Sequence, residues 1–264
     1  MRPADFIVLG SMGLIGSNLC RFLADHGHHV LKVHSANYDE LVGSSARVLV
    51  NCSGNAFRFR ANQDPVWNFS ASVESVQRSL FDFPVGLYIH ISTVDVYHER
   101  GNPAANRETA AIDTSRLDTY GFHKWLAERV VEKYAQRSLI LRVGTVVGEG
   151  LKKGPVFDLL RGAPMHMSLD SKLSIIDTDH LAQAVGILSS ASVEHEIFNL
   201  TGTGPVELRF LATLLGDPVH FAEGAEETLH LYDISNDKIR DHMPMPTSIE
   251  MAGAFMKRSM GRDP

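Results

Sequence analysis

Positive charge is in short supply in this sequence. Lysine and arginine total 25 against 31 aspartates and glutamates, a formal net charge of −6. No basic block stands out, so a nucleic-acid surface, which needs a basic patch, is not expected. No apolar run is long enough to cross a bilayer as a helix. The start, Met1 to Asp5, gives way at once to a short strand-like run, and no signal peptide is read there. Cysteine is scarce, with only Cys20 and Cys52. Both sit in apolar periodic segments, which points to buried free thiols in a reducing cytoplasm rather than a disulfide. His26, His28, His29 and His34 crowd one region, but they flank a helix-ending glycine and lack cysteine or carboxylate partners at ligand spacing. No metal is expected. Repeats and low-complexity tracts are missing as well.

What is present suits one large α/β domain: 264 residues, 44% hydrophobic, ample for a buried core. Phe6-Ile7-Val8-Leu9 reads as a buried strand, Gly10-Ser11-Met12-Gly13-Leu14-Ile15-Gly16 as a glycine turn, and Leu14 to Leu23 as a helix ended by Gly27. His28 to Val33 is a second strand. Strand, glycine-rich turn, helix and strand make a dinucleotide-binding unit. Glycines let backbone N–H groups approach a pyrophosphate, and a helix N-terminus favours its charge. The second strand ends Val33-His34-Ser35-Ala36-Asn37, with no acid before Asp39. Carboxylate capture of a ribose 2′-hydroxyl is therefore not encoded there. His34 and Ser35 could donate to a 2′-phosphate, so NADP(H) is favoured over NAD(H).

The next strand, Arg47 to Asn51, follows too soon for a full helix, strand, helix set, so the first half is abbreviated. Cys52-Ser53-Gly54 is its exit. Phe57 to Pro65 reads as a loop and Val66 to Phe81 as a long helix. Leu87 to Ser92 is a strand that delivers Thr93 and Asp95. From Tyr120 to Arg137 apolar residues recur at helical spacing. On that helix Tyr120 and Lys124, four apart, share a face. A free phenol titrates near pH ~10 and is a poor base at neutrality. A neighbouring ammonium favours the phenolate. Leu139 to Val143 is a further strand. Beyond it come a short helix at 156–160, a strand at 173–176, a helix from Thr178 to Leu188 and a strand at 197–200. A helix from Val206 to Leu215, a strand-like scrap at 219–221 and a terminal helix from Thr247 to Met260 follow, with Met251, Phe255 and Met256 assigned to the core. The expected architecture is a Rossmann-type doubly wound parallel sheet over 1–144, with the last Rossmann elements interleaved with a small substrate lobe over 145–264.

Together these stretches resemble the extended short-chain dehydrogenase/reductase group, the NAD-dependent epimerase/dehydratase family. Residues 10–16 fit its Gly-x-x-Gly-x-x-Gly loop. Ile91 to Tyr97 resembles its Ser-Ser/Thr-x-x-Val-Tyr strand end, Tyr120-Gly-Phe-His-Lys124 its Tyr-x-x-x-Lys, and the segments from Leu141, Ser174 and Phe198 its later motifs. The resemblance implies a bound nicotinamide cofactor and a catalytic trio: Thr93 on the substrate oxygen, Tyr120 as acid/base, Lys124 on the nicotinamide ribose. It also implies a nucleotide-sugar substrate and a homodimer built on helices matching Val66–Phe81 and Tyr120–Arg137. Cofactor contacts are expected from Gly10, Ser11, Met12, Gly13, Leu14, Ile15, His34, Ser35, Cys52, Ser53, Gly54, Tyr120 and Lys124. Asp95 and Thr145 are expected to face substrate.

Two departures refine the expectation. Thr145 stands where many members place an asparagine. The family's dehydratases carry Thr-Asp-Glu, and here the sequence is Thr93-Val94-Asp95, so elimination is not expected. The short first half resembles the dTDP-4-dehydrorhamnose reductase branch, which favours reduction of a sugar ketone. An epimerase with retained NAD and a non-catalytic NADP(H) sensor are the alternatives.

Overall fold

The computed structural model describes residues 4–216 and 218–261. The expectation about Met1 to Pro3 lies outside them. The chain forms two compact units: one takes residues up to His98 with 111–143 and 182–198, the other 99–110, 144–181 and the chain from Asn199 on.

In the first unit, β1 (Ala4–Leu9), α1 (Leu14–Asp25), β2 (Val30–Val33), α2 (Tyr38–Leu41) and β3 (Ala46–Asn51) come first. Then follow α3 (Arg58–Gln63), α4 (Pro65–Phe69), a π-helical stretch Ser70–Glu74, α5 (Ser75–Asp82), β4 (Val85–Thr93), α6 (Thr119–Tyr134) and β5 (Ser138–Val143). The sheet runs β2-β1-β3-β4-β5 and closes with the strand Glu196–Leu200. The pairs β1–β2, β1–β3, β3–β4 and β4–β5 are parallel. Strands covered on both faces must be apolar along their whole length, and Ile7, Val8, Leu49, Val50, Ile89, Leu139 and Leu141 are fully buried. This is the expected Rossmann-type α/β fold. Strand order reverses at β1, whose neighbours are β2 and β3. Ligands of such sheets bind beyond the strand ends at that reversal. Only the four-residue α2 lies between β2 and β3, so the first half is abbreviated as the sequence implies.

Some local readings change. Residues 57–65 are not a loop: Arg58–Gln63 is helical. Its apolar face is too short to show in the sequence, and tertiary contacts hold it. The helix over Val66 to Phe81 forms, but its middle widens into the π-helical stretch. Cys20 is buried, whereas Cys52 is only half-buried; both are free. Among the described residues no helix is long and apolar enough to cross a membrane, and no group of three or more histidines, cysteines and acids is arranged to hold a metal.

The second unit packs helices Pro155–Arg161, Leu208–Leu215 and Ser248–Met260 around Val156, Leu159, Ile175, Leu208, Leu211, Phe255 and Met256. Met251, Phe255 and Met256 are core residues, as expected. Thr247 and Glu250 form a capping box on the terminal helix. The strand expected at 173–176 is split. Lys172–Leu173 pairs antiparallel with Val206–Glu207, while Ile175–Asp177 pairs parallel with Thr145–Val147. Ser174, between them, donates its hydroxyl to the Tyr232 carbonyl. The helix expected from Val206 accordingly begins at Leu208, and of the scrap at 219–221 Phe221 forms a single bridge to Met165.

Candidate active site

The glycine turn between β1 and α1 owes its shape to two of its glycines. Gly10 has φ +73°, and a Cβ there would lie 2.9 Å from the Cys52 carbonyl and Ser53 nitrogen. A Cβ on Gly16 would lie 2.2 Å from the Gly10 carbonyl oxygen. Gly13 is different: it is exposed, and its Cβ would meet only that oxygen at 3.3 Å. Gly13 is the N-cap of α1, no side chain caps this helix, and its first turn holds no acid. Backbone N–H groups at such a terminus suit an anion. Ser11 is buried, and both its Oγ and its N–H donate to the Val33 carbonyl, at 3.0 and 3.1 Å. Met12 is 77% exposed beside the turn; Leu14 and Ile15 are half-buried in the first turn of α1.

At the end of β2, the His34 N–H donates to Asn37 Oδ1 at 2.8 Å, and His34 Nδ1 accepts from the Ala36 N–H at 3.3 Å. That leaves Nε2 of His34 carrying a proton, and Ser35 is exposed. Asp39, the nearest acid, is tied to Arg78 at 2.7 Å.

At the β3 exit, Asn51 Oδ1 accepts from the backbone and the hydroxyl of Ser53, and Asn51 Nδ2 donates to Tyr88 Oη at 2.7 Å. Burial pushes the Cys52 thiol well up, so it stays protonated. Gly54 has φ +112°, and a Cβ there would sit 3.7 Å from Lys124 Nζ. The ammonium of Lys124 thus lies over the β3 exit.

Helix α6 begins because Asp118 accepts the Gly121 N–H at 2.8 Å, a true N-cap. Tyr120 and Lys124 are both buried, on the shared face their spacing implies. Burial pulls the Lys124 pKa down to about 8, opposed chiefly by the negative charge of Glu128. Glu128 itself is held by Arg142 through two bonds of 3.0 and 2.7 Å and by the Ser92 hydroxyl at 2.6 Å. Arg142 also donates to Tyr97 Oη at 2.8 Å.

At the β4 exit, Thr93 is buried and caps the following turn. Its Oγ1 accepts the Asp95 N–H at 3.2 Å and donates to Asp95 Oδ2 at 3.3 Å. A Cβ on Gly121 would lie 2.5 Å from the Asp95 carbonyl oxygen, so the Thr93 loop and the start of α6 are in direct contact. The structure therefore gathers Thr93, Asp95, Tyr120, Lys124 and Gly54 at the carboxyl ends of β3 and β4. Thr145 belongs to the second unit, where its N–H donates to the Ser174 carbonyl at 2.9 Å.

Three groups escaped the sequence reading. Glu128 follows Lys124 by four, as Lys124 follows Tyr120, and that repeat is a visible signal. Asp118, three before Gly121 at a helix start, is another. Arg58 gives no local signal, since its partners lie far along the chain. His90, buried in β4, has no hydrogen-bond partner on either ring nitrogen; burial and the Lys124 charge push its pKa down to about 3, so it is neutral.

A family model described as the NAD dependent epimerase/dehydratase family matches residues 6–161. No curated protein matches the chain. Among solved structures, MoeE5 in complex with UDP-glucuronic acid and NAD is similar at 18% identity, 97% of this chain, 98% of that chain and TM-score 0.80. The dTDP-4-dehydrorhamnose reductase of Bacillus anthracis str. Ames in complex with NADP is similar at 14% identity, 98% and 99% coverage and TM-score 0.79. The UDP-glucose 4-epimerase of Thermotoga maritima with UDP-glucose follows at 15% identity, 96% and 97% coverage and TM-score 0.71.

Proposed function

The chain belongs to the NAD dependent epimerase/dehydratase family, and on that basis we propose that it reduces a keto group of a nucleotide-activated sugar with a dissociable NADP(H). The observation that carries this reading is the joint burial of Tyr120 and Lys124 on one face of α6, with Nζ over Gly54 and Thr93 at the adjoining strand end. A dinucleotide fits these residues. The uncapped, acid-free N-terminus of α1 suits a pyrophosphate, and the missing side chain at Gly54 leaves room against Lys124. When bound, the dinucleotide supplies or accepts the hydride.

The protein's own groups do the rest. N–H groups of residues 14–16 hold the pyrophosphate. Lys124, charged below pH about 8, holds the nicotinamide ribose and favours the Tyr120 phenolate. Tyr120 passes its phenolic proton to the substrate oxygen. Thr93 orients that oxygen by turning its hydroxyl hydrogen from Asp95 Oδ2, while its Oγ1 keeps the Asp95 N–H at 3.2 Å. The second unit, with Thr145, is the substrate lobe. NADP(H) is supported by the free donors of His34 and Ser35 and by the commitment of Asp39 to Arg78. Reduction over elimination is supported by Val94 in place of an acid. Exposed Val66, Phe69, Phe81 and Tyr134 on α4, α5 and α6 support a homodimer through these helices, and two free thiols support a cytoplasmic setting.

The test offers the protein dTDP-4-dehydrorhamnose with NADPH or NADH, and separately UDP-glucose with NAD. One NADPH consumed per product is expected, with Tyr120→Phe losing at least about 1,000-fold in kcat at unchanged dinucleotide affinity. Inversion of UDP-glucose at C4 without net cofactor change would establish the epimerase reading instead. Binding of NADPH with no turnover would establish the sensor. Tighter binding of NADH than NADPH would reverse the cofactor preference, and a monomer in sedimentation would remove the dimer.

A further inference from the structure

The geometry points to Arg58 as the residue that positions Thr93 against the Tyr120 helix. Arg58 lies at the start of α3, in the segment between β3 and α4 that no motif covers. Its Nε donates to Asp118 Oδ2 at 2.5 Å and its Nη1 lies 3.4 Å from Asp95 Oδ1. Each carboxylate has a second duty. Asp95 uses Oδ2 to accept the Thr93 hydroxyl, and Asp118 uses Oδ1 to cap α6 through the Gly121 N–H. One planar guanidinium thus joins two chains of contacts: Thr93 to Asp95 on one side, Gly121 and Tyr120 to Asp118 on the other. A fork of fixed geometry can set the angle between two carboxylates, which a point charge on a flexible stem cannot.

Further contacts fasten the same element. The Asn62 side chain, one helical turn beyond Arg58, also bonds Asp118 and, with Gly121 and Arg58, outweighs the effect of burial to hold that carboxyl below its ordinary range. Asn55, just upstream, donates to Asn68 Oδ1 at 2.9 Å, and Asn68 meets His123 of α6 at 2.8 Å. The segment 55–62 is therefore pinned to α6. The Arg58 side chain is 34% exposed while Asp95 and Asp118 are more covered, so the guanidinium closes over the carboxylates from outside. Arg58 acts through Thr93 and Tyr120 and is a positioning residue; misplacing reacting groups by an ångström from such a distance costs about 100-fold in rate.

This inference rests on the proposed reductase reading, and wild-type turnover of dTDP-4-dehydrorhamnose with NADPH tests that reading first. If the wild type is inactive on it, or Thr93→Ala and Tyr120→Phe keep full turnover, both fall together. With an active wild type, Arg58→Met is expected to lower kcat about 30-fold or more, with KM within about threefold and NADPH affinity within about twofold of wild type. Arg58→Lys, which keeps the charge but not the fork, should recover only part of the loss. Arg58→Gly should be rescued by millimolar guanidinium and not by sodium chloride at equal ionic strength. Arg58→Met on top of Thr93→Ala should add little, because the two act in one chain. Full turnover of Arg58→Met, fully additive losses, a fall in NADPH affinity matching the fall in kcat, or no rescue by guanidinium would each overturn the positioning role while leaving the reductase reading intact.

Discussion

Two buried cations in the first unit meet opposite fates. Arg142 on β5 has a bidentate carboxylate, a phenol and a full set of short bonds. Burial works against its charge, but Glu128 and Tyr97 hold its pKa above the ordinary value. Lys124, one helical turn before Glu128 on α6, is as deeply buried, yet its charge is answered only at a distance and its pKa falls to about 8. The difference shows where the fold is satisfied and where it is left waiting. A paired buried ion contributes little net stability but is costly to break, and it marks scaffold. A buried ion with partners missing marks a place for something to bind.

The largest effect should come from breaking the satisfied pair. Glu128→Gln leaves Arg142 without its counter-charge, and Arg142→Met leaves buried Glu128 paired only with the Arg129 guanidinium at 3.5 Å; each should cost about 3–5 kcal/mol in chemical denaturation. The double variant should cost clearly less than their sum, since neither charge is then stranded. A strictly additive cycle would show the two residues to be energetically independent. Because Glu128 is also what opposes the depression of Lys124, Glu128→Gln should move any pH limb owed to Lys124 further below 8.

Removing the unsatisfied cation should do the reverse. Between pH 8 and the ordinary lysine value of 10.5 the unfolded chain holds a proton that the folded chain has lost, so stability rises with pH across that window and is lowest below it. Lys124→Met should therefore stabilise the empty protein at pH 7 by up to roughly 3 kcal/mol while abolishing turnover, a trade of stability for function. A variant that unfolds more readily than wild type would put Lys124 among the structural ions.

The smallest effect is expected in the second unit. There Asp177 Oδ1 accepts both the N–H and the ring Nδ1 of His180 at 2.8 Å. Asp177 raises the His180 pKa against burial, with Asp179 adding to it and Arg258 opposing. Burial would raise the Asp177 pKa, but its bonds to His180 lower it. The histidine's contribution is full below about pH 6.5 and fades as pH rises through its raised value. The aspartate's contribution is present above about pH 4 and fades as pH falls through its lowered one. His180→Gln should thus lose less than about 1 kcal/mol at pH 6 and a smaller amount at pH 9, where the neutral ring keeps only its Nδ1–H bond to Asp177. Equal losses at both would remove the ionic component.

These pairs also show what a sequence exposes. Tyr120 and Lys124 were legible because helical geometry turns a spacing of four into a shared face, and Gly10 to Gly16 because a turn is local. The abbreviated first half was legible from the count of residues between β2 and β3. Arg58 was not, since its partners lie 37 and 60 positions away and only the folded sheet end brings them together. Nor was the break at Ser174, where one segment serves two sheets, or the helix at Arg58–Gln63, which contacts rather than periodicity hold in place.

The π-helical stretch Ser70–Glu74 carries a consequence for how this chain can change. Before it, Asn68 turns to Asn55 and His123; after it, Ser79 turns to Tyr88 and Asn51. Both are buried amide or hydroxyl groups whose partners lie on different elements. A regular helix advances about 100° per residue, and a π turn holds one residue more than an α turn, so losing one residue from the wide turn restores a regular helix and leaves both sets in phase. The widened turn behaves as a phase correction. Substitutions and a single-residue deletion within 70–74 can be absorbed, but an insertion of one residue there exceeds what the wide turn holds, swings one end against the other and strands a buried polar group.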